Sequence, residues 1–255
     1  MSKIIRESLF SGQVLRFTLN SPRANILDGE MMGELDDYLK NVAAGVKLIQ
    51  FTGSGSHFSF GASVEEHTRE KAPQMLRQFH GLFKRLISLS VPSMALVSGQ
   101  CLGGGLELAL MCNFLMLDKS AILGQPEINL GVFAPPASLI LPLKIGQTSA
   151  DEILLSGKIM SPEQFSDLGL VLEIFEDRDS MLKGAEKWIS INILKKSASS
   201  LRFAVRAART EFNAVLIRRL DELARIYENE LMATKDANEG LQAFLEKRTP
   251  NWLDS

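Results

Sequence analysis

Residues Ser93-Met94-Ala95-Leu96-Val97 read as an apolar strand, and Gly99-Gln100-Cys101-Leu102-Gly103-Gly104-Gly105-Leu106-Glu107 carries that strand into a helix starting near Gly104. Three consecutive glycines let a ligand approach the backbone, and a helix start leaves N–H groups unpaired. With the helix dipole, the turn suits negative charge. It equally suits tight packing of strand on helix, and the turn alone leaves both readings open. It is not a phosphate loop, because no Lys-Ser/Thr pair follows the glycines, and the dinucleotide fingerprint is absent.

Upstream, Phe58-Ser59-Phe60-Gly61-Ala62-Ser63 forms a second glycine-bearing turn, also after a strand. Two N–H donors, one from each turn, would suffice to hold a carbonyl oxygen that gains charge. Downstream, Glu107 opens the helix inside an apolar segment, and Glu127 follows twenty residues later in Gly124-Gln125-Pro126-Glu127. A carboxylate among Leu and Met side chains has its pKa raised by desolvation, and a second carboxylate nearby splits the protonation states into acid and base. The alternative keeps Glu107 as a cap on the helix dipole and Glu127 in solvent. His57, His67 and His80, the only histidines, fit no metalloprotease spacing and read as surface or structural. No Gly-x-Ser-x-Gly elbow appears.

Further outward the chain alternates strands and helices. Val14–Leu19 and Val46–Phe51 read as strands, as do Asn113–Leu117 and Ala121–Leu123. Asp28–Val42 and Pro73–Leu89 carry apolar residues at helical spacing. Such alternation predicts an α/β fold with parallel pairing. From Ser161-Pro162-Glu163, a helix start, the signals become helical only: Ser180–Leu194, Ala198–Arg209, Asn213–Met232 and Lys235–Lys247. Leu216, Leu220, Leu223, Tyr227 and Leu231 form an apolar stripe that calls for a partner surface. The expected division is a core domain over 1–195 and a helical oligomerisation region over 196–255.

Composition narrows the function. The 255 residues are 45% hydrophobic and 23% charged, enough for a full core. A net charge of −2 argues against a nucleic-acid surface. The apolar window Cys101–Leu117 is short for a membrane span and contains Glu107 and Asn113. Cys101 and Cys112 supply neither a disulfide framework nor metal spacing, which fits a reducing, cytoplasmic compartment. The N-terminal residues lack a signal-peptide pattern.

Together these segments resemble the crotonase, or enoyl-CoA hydratase/isomerase, superfamily. Four stretches in order carry the resemblance: Phe58–Ala62 with Val64-Glu65-Glu66, Val97–Glu107, Gly124–Gly131, and Glu239-Gly240 with Ala243–Arg248. It implies a ββα spiral core with a C-terminal helical region. It implies an oxyanion hole from the Ala62 and Gly104 N–H groups beside Gly61 and Gly103, and catalytic glutamates at Glu107 and Glu127. It also implies CoA contacts from Phe244 and Lys247, and homotrimers or homohexamers. Coenzyme A belongs to the acyl-CoA thioester substrate, and no separate cofactor and no metal is expected. Where hydratases carry a glycine-rich acyl-site segment, Val132-Phe133-Ala134-Pro135-Pro136-Ala137-Ser138 stands, and Phe133 and Pro135 are expected to form a rigid wall. The run Phe58–His67 is similar to the cyclohexadienecarbonyl-CoA hydratases of anaerobic aromatic degradation. The expected reaction is hydration of a cyclic dienoyl-CoA such as cyclohexa-1,5-diene-1-carbonyl-CoA, with water adding at the far end of the diene. An ordinary enoyl-CoA hydratase, an isomerase and a non-catalytic acyl-CoA-binding relative are the alternatives.

Overall fold

The structure, a computed structural model, describes residues 2–22 and 24–255. The chain opens with an antiparallel hairpin of β1 (Ile4–Leu9) and β2 (Val14–Leu19), followed by α1 (Gly29–Lys40), β3 (Leu48–Gly53) and α2 (Ala72–Leu89). Asp28 starts α1 by accepting the Met31 N–H, as an N-cap carboxylate does. Two ββα units then follow each other. The first is β4 (Ser93–Val97), β5 (Gln100–Leu102) and α3 (Gly104–Met111); the second is β6 (Phe114–Asp118), β7 (Ile122–Gly124) and α4 (Pro135–Ile145). Next come α5 (Gln147–Ser156), β8 (Ile159–Met160), α6 (Pro162–Asp167) and β9 (Glu173–Phe175). The chain finishes with α7 (Arg178–Asn192), α8 (Ala198–Ala208), α9 (Thr210–Asn229) and α10 (Lys235–Leu245).

The first strand of each ββα unit enters one sheet and the second enters another. The main sheet has the order β1-β2-β3-β4-β6-β9, parallel throughout except for β1 on β2. The smaller sheet has the order β5-β7-β8. All six residues of β2 and of β3 are buried, as expected of parallel strands covered on both faces. Period-two alternation sorts them. Val14, Leu48, Met94, Leu96 and Met116 pack against Met181, Ala185 and Ile189 of α7. Phe17, Leu19, Phe51, Ala95, Val97 and Leu117 face the larger core, which also takes α1, α2 and α3. Helix α3 is buried on every side, so its one carboxylate, Glu107, sits inside the protein.

Two expectations are corrected. Strands continue past Ser161, because β9 pairs in parallel with β6. Its three residues are too few to show alternation. The stripe on α9 does not need a partner surface: Leu216, Leu220 and Tyr227 are buried against the chain's own core, and Leu223 and Leu231 are half-buried. The segment expected to form a rigid wall opens α4 at Pro135, since proline's fixed φ suits the first helical turn. Among the described residues, no helix is long and apolar enough to cross a membrane.

Candidate active site

The two glycine turns meet. Residues 58–62 run beside β5: the Ser59 N–H donates to the Gln100 carbonyl and the Leu102 N–H to the Ser59 carbonyl, both at 3.0 Å. Ser59 Oγ fixes the turn, donating to the Asn25 carbonyl at 2.7 Å and accepting the Gly61 N–H at 3.0 Å. The approach is close enough to require glycine at Gly61 and Gly103. Gly61 has φ +105°, and a Cβ there would lie 2.9 Å from the Leu102 carbonyl oxygen. Gly103 has φ +50°, and a Cβ there would lie 2.6 Å from Glu127 Oε1. A Cβ built on Gly104 would stand 3.2 Å from the Ala62 nitrogen, so the two backbone nitrogens are neighbours. Among the described residues neither the Ala62 nor the Gly104 N–H makes a hydrogen bond. Two free donors side by side at a helix start can receive an oxygen that gains charge.

Ala62 and Gly104 share a small pocket with Gly61, Gly103, Glu107, Glu127, Phe133 and Pro135. Its volume is about 80 Å³, against the roughly 150 Å³ of a protein cavity that holds benzene. The enclosed part alone is therefore smaller than a six-membered ring needs, and a ring would also occupy the mouth shared with the adjoining groove. Phe60, Ala62, Val64, Pro126 and Leu130 line both this pocket and an adjoining groove of about 680 Å³, to which α10 contributes Phe244 and Leu245. Lys247 is exposed and lies outside the residues lining either space; Arg248 lines the groove in its place.

Glu107 is 3% exposed, and its Oε1 accepts the Ala137 N–H at 2.8 Å. Pro135 and Pro136 open α4 and have no N–H, so Ala137 provides the first donor of that helix, and it goes to Glu107. Burial and the neighbouring Glu127 raise the Glu107 pKa well above the carboxylate range, and the Ala137 N–H pulls against that. Burial also pushes Glu127 up, to about 7. Gln125 supports Glu127. With its amide nitrogen turned toward the carboxylate, the orientation that pairs donor with acceptor, it lies 2.9 Å from Oε2 and 3.1 Å from Oε1. Two acids in one enclosed pocket cannot both ionise easily, so the pair holds a proton near neutral pH.

Three residues in or behind the pocket were not marked by the sequence. Gln125 is fully buried, but an amide beside a proline carries no local signal. His67 lines the pocket and donates from Nδ1 to the Ser63 carbonyl at 2.7 Å; burial lowers its pKa. Tyr227, read as one position of the α9 stripe, also lines the pocket, 5.4 Å from Phe133 between ring centres.

Residues 10–255 match the enoyl-CoA hydratase/isomerase family, and the chain belongs to it. It is 43% identical, over 94% of its own length and 93% of the relative's, to cyclohexa-1,5-dienecarbonyl-CoA hydratase of Thauera aromatica. It is 31% identical to 2,3-dehydroadipyl-CoA hydratase of Escherichia coli K12, over 94% of this chain and 95% of that one. The crystal structure of an enoyl-CoA hydratase/isomerase from Xanthobacter autotrophicus Py2 superimposes with a TM-score of 0.83 at 28% identity, covering 97% of each chain. The fold is thus the crotonase ββα spiral.

Proposed function

We propose that the protein is a hydro-lyase that adds water to a cyclic conjugated dienoyl-CoA, cyclohexa-1,5-diene-1-carbonyl-CoA or a close analogue. The observation that carries this reading is the pair of carboxylates, buried Glu107 and half-buried Glu127, in a small pocket also lined by two residues with unpaired N–H donors. Family membership and the similarity to the Thauera hydratase support the substrate class.

The chemistry follows from electron counting. The thioester carbonyl is attached to C1, which shares a double bond with C2 and a single bond with C6. Only attack at C2 sends charge to the thioester oxygen, where the Ala62 and Gly104 N–H groups stabilise it more than they stabilise the ground state. The expectation of water adding at the far end of the diene therefore gives way to addition at C2. One carboxylate takes a proton from water as the O–C2 bond forms. The dienolate electrons then return, C1=C6 forms, and the C5=C6 pair takes a proton at C5 from the other carboxyl group. Water has been added and nothing oxidised, so the step requires no redox cofactor. The family resemblance assigns Glu107 to the water and Glu127 to the proton; burial raises both groups, Glu107 the further of the two, and the Ala137 N–H pulls Glu107 back toward its anion, so the reverse assignment stays open. CoA would extend along the groove past Phe244.

Assembly into trimers or paired trimers belongs to the same reading, supported by Phe203 and Ile217, which this chain leaves 66% and 51% exposed. Sedimentation at micromolar concentration tests it, and a stable monomer refutes it.

The decisive assay compares kcat/KM for cyclohexa-1,5-diene-1-carbonyl-CoA and crotonyl-CoA. Preference for the ring supports the proposal. Equal values, or preference for crotonyl-CoA, return the protein to the straight-chain hydratases.

A further inference from the structure

Tyr227 is 1% exposed, sits far along the chain from both glutamates, and lines the same pocket. Its hydroxyl is enclosed and makes no hydrogen bond, although a buried hydroxyl normally finds a partner. The ring is tightly placed, 5.4 Å from the Phe133 ring centre in a T-shaped pair and 6.4 Å from that of His67. Its phenol stays protonated, because burial and the two nearby glutamates raise its pKa. A neutral phenol held rigidly with an unspent donor is poorly suited to an apolar acyl group. It suits an oxygen that is present in one state of the reaction and absent in another.

We propose that the Tyr227 hydroxyl donates a hydrogen bond to the oxygen that water contributes, first as the incoming water and then as the ring hydroxyl of the product. The inference rests on the hydratase reading and assigns to α9 a residue that distinguishes hydroxylated from unsaturated acyl groups. The Glu107 and Glu127 carboxylates handle the protons, and Tyr227 holds the oxygen they act on. His67 is not the better candidate, since its Nδ1 proton is already committed to Ser63.

Tyr227→Phe removes one oxygen and keeps the ring contacts with Phe133 and His67. Titration calorimetry on wild type and variant would use two ligands: the hydroxycyclohexenecarbonyl-CoA product and its twin without the hydroxyl, cyclohex-1-ene-1-carbonyl-CoA. The product should bind about tenfold more weakly to the variant, the worth of one lost hydrogen bond, while the twin changes less than about twofold. Unliganded Tyr227→Phe should melt no lower than wild type, because an unsatisfied buried hydroxyl has gone. Equal weakening of both ligands, no weakening of either, or a lower unliganded melting temperature overturns the proposal. Turnover of the diene by wild type is read separately. Its absence refutes the hydratase reading, while the ligand pair alone decides the role of the phenol.

Discussion

Replacing Glu127 with glutamine isolates what burial does to this carboxyl group. Glu127 titrates near 4.5 when free and near 7 in the folded protein, with burial as the main cause. Its folded pKa is the higher one, so the stability it contributes is fully present below about pH 4.5 and lost as pH rises through about 7. A shift of that size corresponds to about 3 kcal/mol. Part of the residue faces the pocket, which reduces the figure to about 2 kcal/mol. Glutamine has no proton to lose, and its side-chain oxygen still accepts from Gln125. Between pH 5 and 8, Glu127→Gln should therefore gain about 2 kcal/mol relative to wild type. Removing this carboxylate also relieves Glu107, which enlarges the gain. Urea unfolding at half-unit pH steps, read by fluorescence or circular dichroism, measures the difference. A gap that stays constant within about 0.5 kcal/mol over that range would show that burial does not hold this proton.

Glu107→Gln keeps an acceptor for the Ala137 N–H and should fold normally. It should lose on the order of 10²–10⁴ in kcat while acyl-CoA binding persists, measured by rate assay and calorimetry. Gly104→Ala keeps the N–H but sets a methyl group 3.2 Å from both the Ala62 nitrogen and the Phe79 ring. Crowding of the two donors should lower turnover on the order of a hundredfold, and an unchanged rate in a folded variant removes them from the chemistry. Ala137→Pro deletes the donor that holds Glu107 and should cost roughly 1–3 kcal/mol of stability in denaturant unfolding. An unchanged midpoint would mean that this hydrogen bond contributes nothing.

Much of this architecture could be read from one dimension because the determining residues are local. Ser93–Val97 is apolar throughout and flanked by Pro92 and Gly99, so the strand announces itself. The glycines of the two turns are where the backbone must pass close to Leu102 and Glu127, which explains their clustering. β1 gave no such signal: Arg6, Glu7 and Ser8 make it polar, and pairing with β2 over six residues holds it in place. The start of α4 was hidden for another reason. Two prolines read as stiff chain, yet they are also the residues a first helical turn accepts, and only the Ala137 contact with Glu107 tells the two apart. Tyr227 was beyond reach, because helical spacing assigns it to a stripe without saying that one member of the stripe ends at the pocket.

The proposed reaction adds the elements of water across a conjugated thioester in this pocket. Incubation of the purified protein with cyclohexa-1,5-diene-1-carbonyl-CoA in deuterium oxide enriched in oxygen-18, followed by mass spectrometry and NMR of the product, tests it directly. The product should carry one oxygen-18 on the carbon next to C1, one deuterium at C5, and a double bond between C1 and C6. Deuterium without oxygen-18 would make the protein an isomerase, and recovery of unlabelled diene would leave it without the proposed activity; either result contradicts the claim.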